Sequence, residues 1–213
     1  MNTVMWNTAT RRTLLGFSAQ QVAPFPTIAE EPVTVAEVLR HLKWSAGHPD
    51  EPDVPRWIAT ARTVIERQTR LALAHQTWDL FLDDWGGVPG WIPLPLHPIV
   101  SLDDVVIVNG DLTETALVAD DDYALVTGRR PGRLVFLSTP SLSAARALSP
   151  IRIRYTAGYD DPLAIPVDLR HALLMMVADL ATHRGDEREG WQDRSVPVGV
   201  QSLVQRYVLP EVA

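Results

Sequence analysis

The hydrophobic period of this chain changes twice, and that change limits its folds more than any other feature. From Val35 to about residue 74 apolar residues recur three and four apart; from His75 they alternate; after Pro166 the helical spacing returns. A single helical face cannot bury itself, so the helices on the two sides of the alternating stretch must pack together across it. The pattern predicts an α+β fold: a small helical bundle of three to four helices with an antiparallel β insertion between the second and third main helices. The expected boundaries are an N-terminal extended arm over 1–31, two bundle helices over 32–74, the β insertion over 75–158, and C-terminal helices completing the bundle over 159–209.

The first helix announces itself in "EPVTVAEVLRHLKW". Thr34 suits an N-cap, Glu37 three residues later completes a capping box, and Val35, Val38, Leu39 and Leu42 follow at helical spacing. A second helix is expected from about Pro55 to Leu73. Its stripe is Trp57, Ile58, Ala61, Val64, Ile65, Gln68 and Ala72, with Arg56, Arg62, Glu66 and Arg70 largely outside it. In "HQTWDLFLDDW" Trp78, Leu80 and Leu82 alternate with Thr77, Asp79, Phe81 and Asp83 as in a half-buried strand. Val105 to Val108 runs into an Asn109-Gly110 turn, "DYALVTGRRPGRLVFL" reads as a hairpin tipped by Gly128 to Gly132, and "IRIRYTAGY" places Ile151, Ile153 and Tyr155 opposite Arg152 and Arg154. Five or six short strands are expected in this central region. In the last helical stretch Leu169, Ala172, Leu173, Met176, Val177, Leu180 and Ala181 form a broad stripe, with Asp168 near its start and His183 and Arg184 at its end.

Composition narrows the function classes. The 213 residues hold no cysteine, which removes disulfides, thiolate metal sites and cysteine nucleophiles. No apolar run approaches the roughly 20 residues that span a bilayer, so no membrane partner is expected. Arg11 and Arg12 precede an apolar patch of only Leu14, Leu15, Gly16 and Phe17, short of the roughly 7–15 residues of an export signal. The arm is therefore expected to stay on the mature protein, inside the cell that makes it. Twelve acidic and six basic residues lie between His75 and Ile165, against fourteen and thirteen elsewhere, so the middle carries most of the net charge of −7. That balance opposes phosphate-neutralising DNA binding.

Candidate chemistry is sparse. Asp160 and Asp161 form a carboxylate pair, yet adjacent residues on an extended chain point apart, and Asp before a helix bonds free backbone N–H groups. Asp83-Asp84, Asp103-Asp104 and Asp120-Asp121-Asp122 read as solvated loop charges near strand ends and turns. His171 and His183, twelve apart on one helix, are too distant to share a metal. His41 and Glu37 make half a metal site with nothing to complete it. No nucleophile elbow, phosphate-binding glycine loop or HExxH sequence is present. No catalytic, cofactor-binding or metal residues are expected. "GRRPGR", Gly128 to Arg133, is the one local cationic cluster, either an exposed loop or a contact for an acidic partner.

Four segments, in order, carry a resemblance. They are "EPVTVAEVLRHLK" (Glu31 to Lys43), "IATARTVIERQTRLALAHQTWDLFLDDW" (Ile58 to Trp85), "LPLHPIVSLDDVVIVNGD" (Leu94 to Asp111) and "IRIRYTAGYDDPLAIPVDLRHALLMMVADL" (Ile151 to Leu180). Together, over roughly 31–209, the chain resembles the phage head–tail connector proteins, the adaptors below the portal in long-tailed phages, prophages and gene transfer agents. About thirty residues precede the usual start.

That resemblance implies a structural, non-enzymatic virion protein without cofactors. It implies a homo-oligomeric ring, a dodecamer in the family, in the neck of a virion or phage-like particle assembled in the host cytoplasm. The implied partners are further copies of itself, the portal protein, and a tail-side stopper or tail terminator, with DNA passing through without specific binding. The C-terminal segment would dock on the portal through Val200, Leu203, Val204, Tyr207, Val208 and Leu209, unless that short helix simply packs on its own bundle. Gly158, Pro162 and Pro166 would form the structural hinge where the β insertion returns to the bundle. The acidic candidates to face the channel are Asp120, Asp121 and Asp122, and the arm from Met1 to Glu30 would lie across a neighbour or the portal. The alternatives are a small metal-dependent or acidic-loop hydrolase and a free-standing protein-interaction domain.

Overall fold

The computed structural model describes residues 18–21, 28, 30–83, 90–138, 140–183 and 196–208. The chain divides into two compact units, one of Ala29–Ala74 and Tyr159–Pro210, the other of His75–Gly158 with Met1–Ile28 and Glu211–Ala213.

The first unit is helical. Helix α1 (Val35–Leu42) begins at the expected cap: the Thr34 hydroxyl accepts from the Glu37 N–H at 3.2 Å, and the Glu37 carboxylate accepts from the Thr34 N–H at 2.8 Å. Those bonds satisfy two N–H groups that a helix start otherwise leaves open. Glu37 also pairs with Arg170 and so ties α1 to helix α3 (Val167–Thr182). Helix α2 (Val54–Thr69) stops four residues before the expected Leu73, because Arg70 turns left-handed at φ 62°. The Thr69 hydroxyl accepts from the Leu71 N–H and the Glu66 carboxylate from the Leu73 N–H at 2.7 Å, so side chains take over where helical bonding ends. Val54, Trp57, Ile58, Ala61 and Ile65 of α2 face Leu169, Ala172, Leu173, Met176 and Val177 of α3 in one core, joined by Val200 and Val204 of helix α4 (Val198–Val204).

Two residues of α2 depart from expectation. Arg62 and Glu66, read as lying largely outside the stripe, are both 8% exposed. They pair at 2.9 Å, and the Arg62 Nε also donates to Glu31 at 2.9 Å. Burying a charge is tolerable only when it is paired and hydrogen-bonded, and this pair meets that condition.

The second unit is β-rich. Its five-stranded antiparallel sheet has the order β1-β2-β8-β4-β5: β1 (Ser18–Gln21), β2 (Gln76–Leu82), β4 (Ile99–Val108), β5 (Glu114–Ala116) and β8 (Ile151–Ala157). A three-stranded sheet orders β3 (Trp91–Pro93), β7 (Arg133–Phe136) and β6 (Tyr123–Val126) as β3-β7-β6. Among the described residues seven strands, β2 to β8, thus stand in the central region where five or six were expected, and an eighth, β1, belongs to the N-terminal arm. It pairs with β2 from Ser18↔Phe81 to Gln21↔Trp78. In β8 the expected alternation holds: Ile151, Ile153, Tyr155 and Ala157 are buried, while Arg152, Arg154 and Thr156 are half-buried on the opposite face. Burial pushes the Tyr155 hydroxyl above its ordinary pKa, and that hydroxyl accepts from the Leu96 N–H at 3.4 Å.

Candidate assembly surfaces

The polar face of the large sheet is cross-linked by charge. Arg154 on β8 grips Asp79 on β2 with two bonds of 2.8 Å, and Arg152 bonds Glu114 of β5 at 3.0 Å and Asp104 of β4 at 3.4 Å. Thr77 and Thr156 meet at 3.2 Å, and the Thr156 hydroxyl donates to Asp103. Asp103 and Asp104 therefore lie within β4, at a break in its register with β8, rather than in a loop as expected. Asp83 accepts from the Ser149 N–H at 2.9 Å, while Asp84 lies outside the described residues. These carboxylates hold strands together, which is structural work.

The bend after β8 behaves as its residues require. Gly158 has φ 136°, a conformation that side chains resist, and its N–H donates to the Pro98 carbonyl at 2.9 Å. Asp161 caps the 3-10 turn Pro162–Ala164 by accepting from the Leu163 N–H at 2.8 Å, the role expected for it. Pro166 precedes α3, and its carbonyl accepts from the Leu169 and Arg170 N–H groups.

At the C-terminus, Val200 and Val204 belong to the helical core, Leu203 and Tyr207 pack against it half-buried, and Val208 is exposed. Leu209 lies outside the described residues. The helix therefore spends Val200 and Val204 on its own bundle. Its other side presents Val198, Gln201 and Ser202, and the 3-10 turn that follows (Gln205–Tyr207) presents Gln205 and Arg206, the last anchored to Asp168 at 2.8 Å.

The three consecutive aspartates form a turn before β6. Asp120 sits at φ 66° and its N–H donates to the Tyr123 carbonyl, while the Asp122 carboxylate accepts from the Val118 N–H at 2.9 Å. Asp120 and Asp121 are exposed. Burial first, then the Asp104, Asp120 and Asp122 carboxylates, raise the pKa of the Tyr123 hydroxyl, a sign of the negative field at this end. At the far end of the β6–β7 hairpin, Arg130 of the cationic tip donates to the ring of His97, which is buried. Burial, and secondarily the Arg130 charge, lower the His97 pKa to about 4, so the ring stays neutral and can accept. Nothing in the sequence pairs His97 with Arg130, 33 positions away.

Among the described residues no group of three or more His, Asp or Glu could hold a metal ion. His171 meets His41 of α1 edge-on, with ring centroids 6.0 Å apart.

No protein-family model and no curated protein matches the chain. Solved structures do. A chain from the neck of the empty gene transfer agent particle, computed with C6 symmetry, is 24% identical at TM-score 0.72, over 92% of this chain and 97% of that one. The fold is that of a gene transfer agent neck chain. Chains in the virion of the native gene transfer agent particle and in the neck of the native particle computed with C12 symmetry are also 24% identical over the same shares, at TM-scores of 0.73 and 0.71. The match covers nearly all of each chain and so takes in residues of both units.

Proposed function

We propose that this chain is a structural protein of the neck of a phage-like particle, an adaptor that forms a ring of identical subunits under the portal, through which DNA passes. The observation that carries this reading is the near-complete match, 92% of this chain against 97% of its neighbour, to chains built into necks of sixfold and twelvefold symmetry. Subunits in such a ring meet through two different surfaces, a heterologous contact that closes by rotation. The work is assembly, with no reaction catalysed. The outer side of α4 and the exposed Val208 are the candidates to dock on the portal, with a tail-side stopper or terminator on the opposite rim. Carboxylates around the hole would repel phosphates and let DNA slide, in keeping with the net charge of −7. Asp120, Asp121 and Asp122 are the sequence's candidates for that lining.

The experiment is the mass of the purified chain in solution, alone and mixed with its adjacent portal protein. A ring, or a monomer that becomes one on the portal, supports the adaptor reading. A stable monomer indifferent to the portal contradicts it.

A further inference from the structure

The β6–β7 hairpin is a ribbon of opposite ends. Its register, Tyr123↔Phe136 to Val126↔Arg133, puts the aspartate turn at one end and the Gly128–Gly132 tip at the other. Four paired residues at about 3.4 Å each keep those ends roughly 10 Å or more apart.

Each end is built to meet something. Beside the aspartates, Val118 and Leu137 are 55% and 56% exposed, and backbone bonds hold them there: Asp122 N–H to Val118 carbonyl, Leu137 N–H to Asp122 carbonyl. Apolar side chains rimmed by carboxylates fit a protein contact better than a wall along which DNA slides. The cationic end is fixed in shape. Arg130 is held by buried His97, Arg133 lies 4.0 Å over the Trp91 ring, and a Cβ on Gly132 would meet Ile99 Cγ1 at 2.9 Å. Exposed Arg129 and the half-exposed Val126 beside it complete this end. A preformed arginine tip gives up little entropy on docking.

We propose that this hairpin is a contact between copies of the chain, the arginine tip of one seating on the Val118–Leu137 patch and the Asp120 and Asp121 carboxylates of the next. The inference rests on the ring reading and deepens it, because two complementary ends of one element generate the head-to-tail contact that a ring requires. It moves the aspartate turn from the wall of the hole to the boundary between subunits.

The absence of cysteine allows a direct test. In the full-length double variant R129C/D121C, alone and on the portal, mild oxidation should give a ladder of reducible multimers beyond the dimer. R129C or D121C alone should stop at the dimer. A bond within one copy is out of reach, since the two Cα atoms of a disulfide lie within about 7 Å. Separately, R129E should weaken self-association about tenfold, and R129E/D121R should restore it. Circular dichroism checks that each variant folds. Rings by mass without a ladder would overturn this contact and leave the ring reading standing; monomers everywhere would overturn both. Unchanged self-association of R129E with loss of portal binding would assign the tip to the portal and refute the proposal.

Discussion

Replacing Arg62 by alanine should loosen the end of α2. The Arg62 and Glu66 side chains are only 10% and 11% exposed, and Glu66 also accepts from the Leu73 N–H, which fixes the chain beyond the helix. Removing Arg62 takes away a counter-charge from a buried carboxylate, at a cost of about 3 kcal/mol. Since 1.4 kcal/mol is a factor of ten, amide exchange across residues 54–74 should speed up roughly a hundredfold if opening precedes exchange. Hydrogen exchange read by mass spectrometry on peptides of that span measures this locally, without assuming that both units unfold together. E66Q keeps an acceptor for Leu73 and should cost less than R62A. The double variant R62M/E66Q should recover most of the loss, because it leaves no unpaired charge at the buried site while the glutamine side chain still offers an acceptor to the Leu73 N–H. An R62A effect below about threefold, or additive losses in the double variant, would refute the view that the two side chains act as one buried unit.

Other outcomes follow from the same contacts. T34A should cost about 1 kcal/mol by removing the cap of α1. The Thr34 backbone N–H bond, foremost, holds the Glu37 pKa below its ordinary 4.5, so its contribution is present above that value and lost as pH falls through the lowered one; T34A keeps that N–H and loses only the hydroxyl bond, so its acid titration should still show most of this loss. His97 behaves similarly for a different reason: a ring kept neutral down to about pH 4 but charging near 6.5 when unfolded makes stability fall as pH drops across that window. H97Q, followed by denaturant titration from pH 7 to 4, should flatten that slope. L173A, at a fully buried site, should cost 2–5 kcal/mol through the cavity it opens, read from the helical signal on chemical unfolding.

The parts of the fold visible in the sequence are those set by local rules. The capping box at Thr34, the alternation of Ile151, Ile153 and Tyr155, and the cap at Asp161 all depend on residues a few positions apart. The change of period near His75 was legible because strand and helix geometry impose different spacings on the same apolar residues. What escaped depends on contacts remote in sequence. Ser18–Gln21 has no apolar alternation and is a strand only because β2 offers its edge. Arg62 and Glu66 look like surface residues until Glu31 and the Leu73 N–H are brought to them. Both ends of the β6–β7 hairpin stand out in the sequence as charge clusters, but pinning by His97 and exposure of Val118 and Leu137 depend on contacts remote along the chain.

The most direct measurement is electron cryo-microscopy of particles released by cells that encode this chain, with the neck reconstructed at its own symmetry. This chain should stand there as a closed ring of identical subunits around the DNA path, directly beneath the portal. Finding it elsewhere in the particle, as single copies, or absent from particles that still package and deliver DNA would contradict the account.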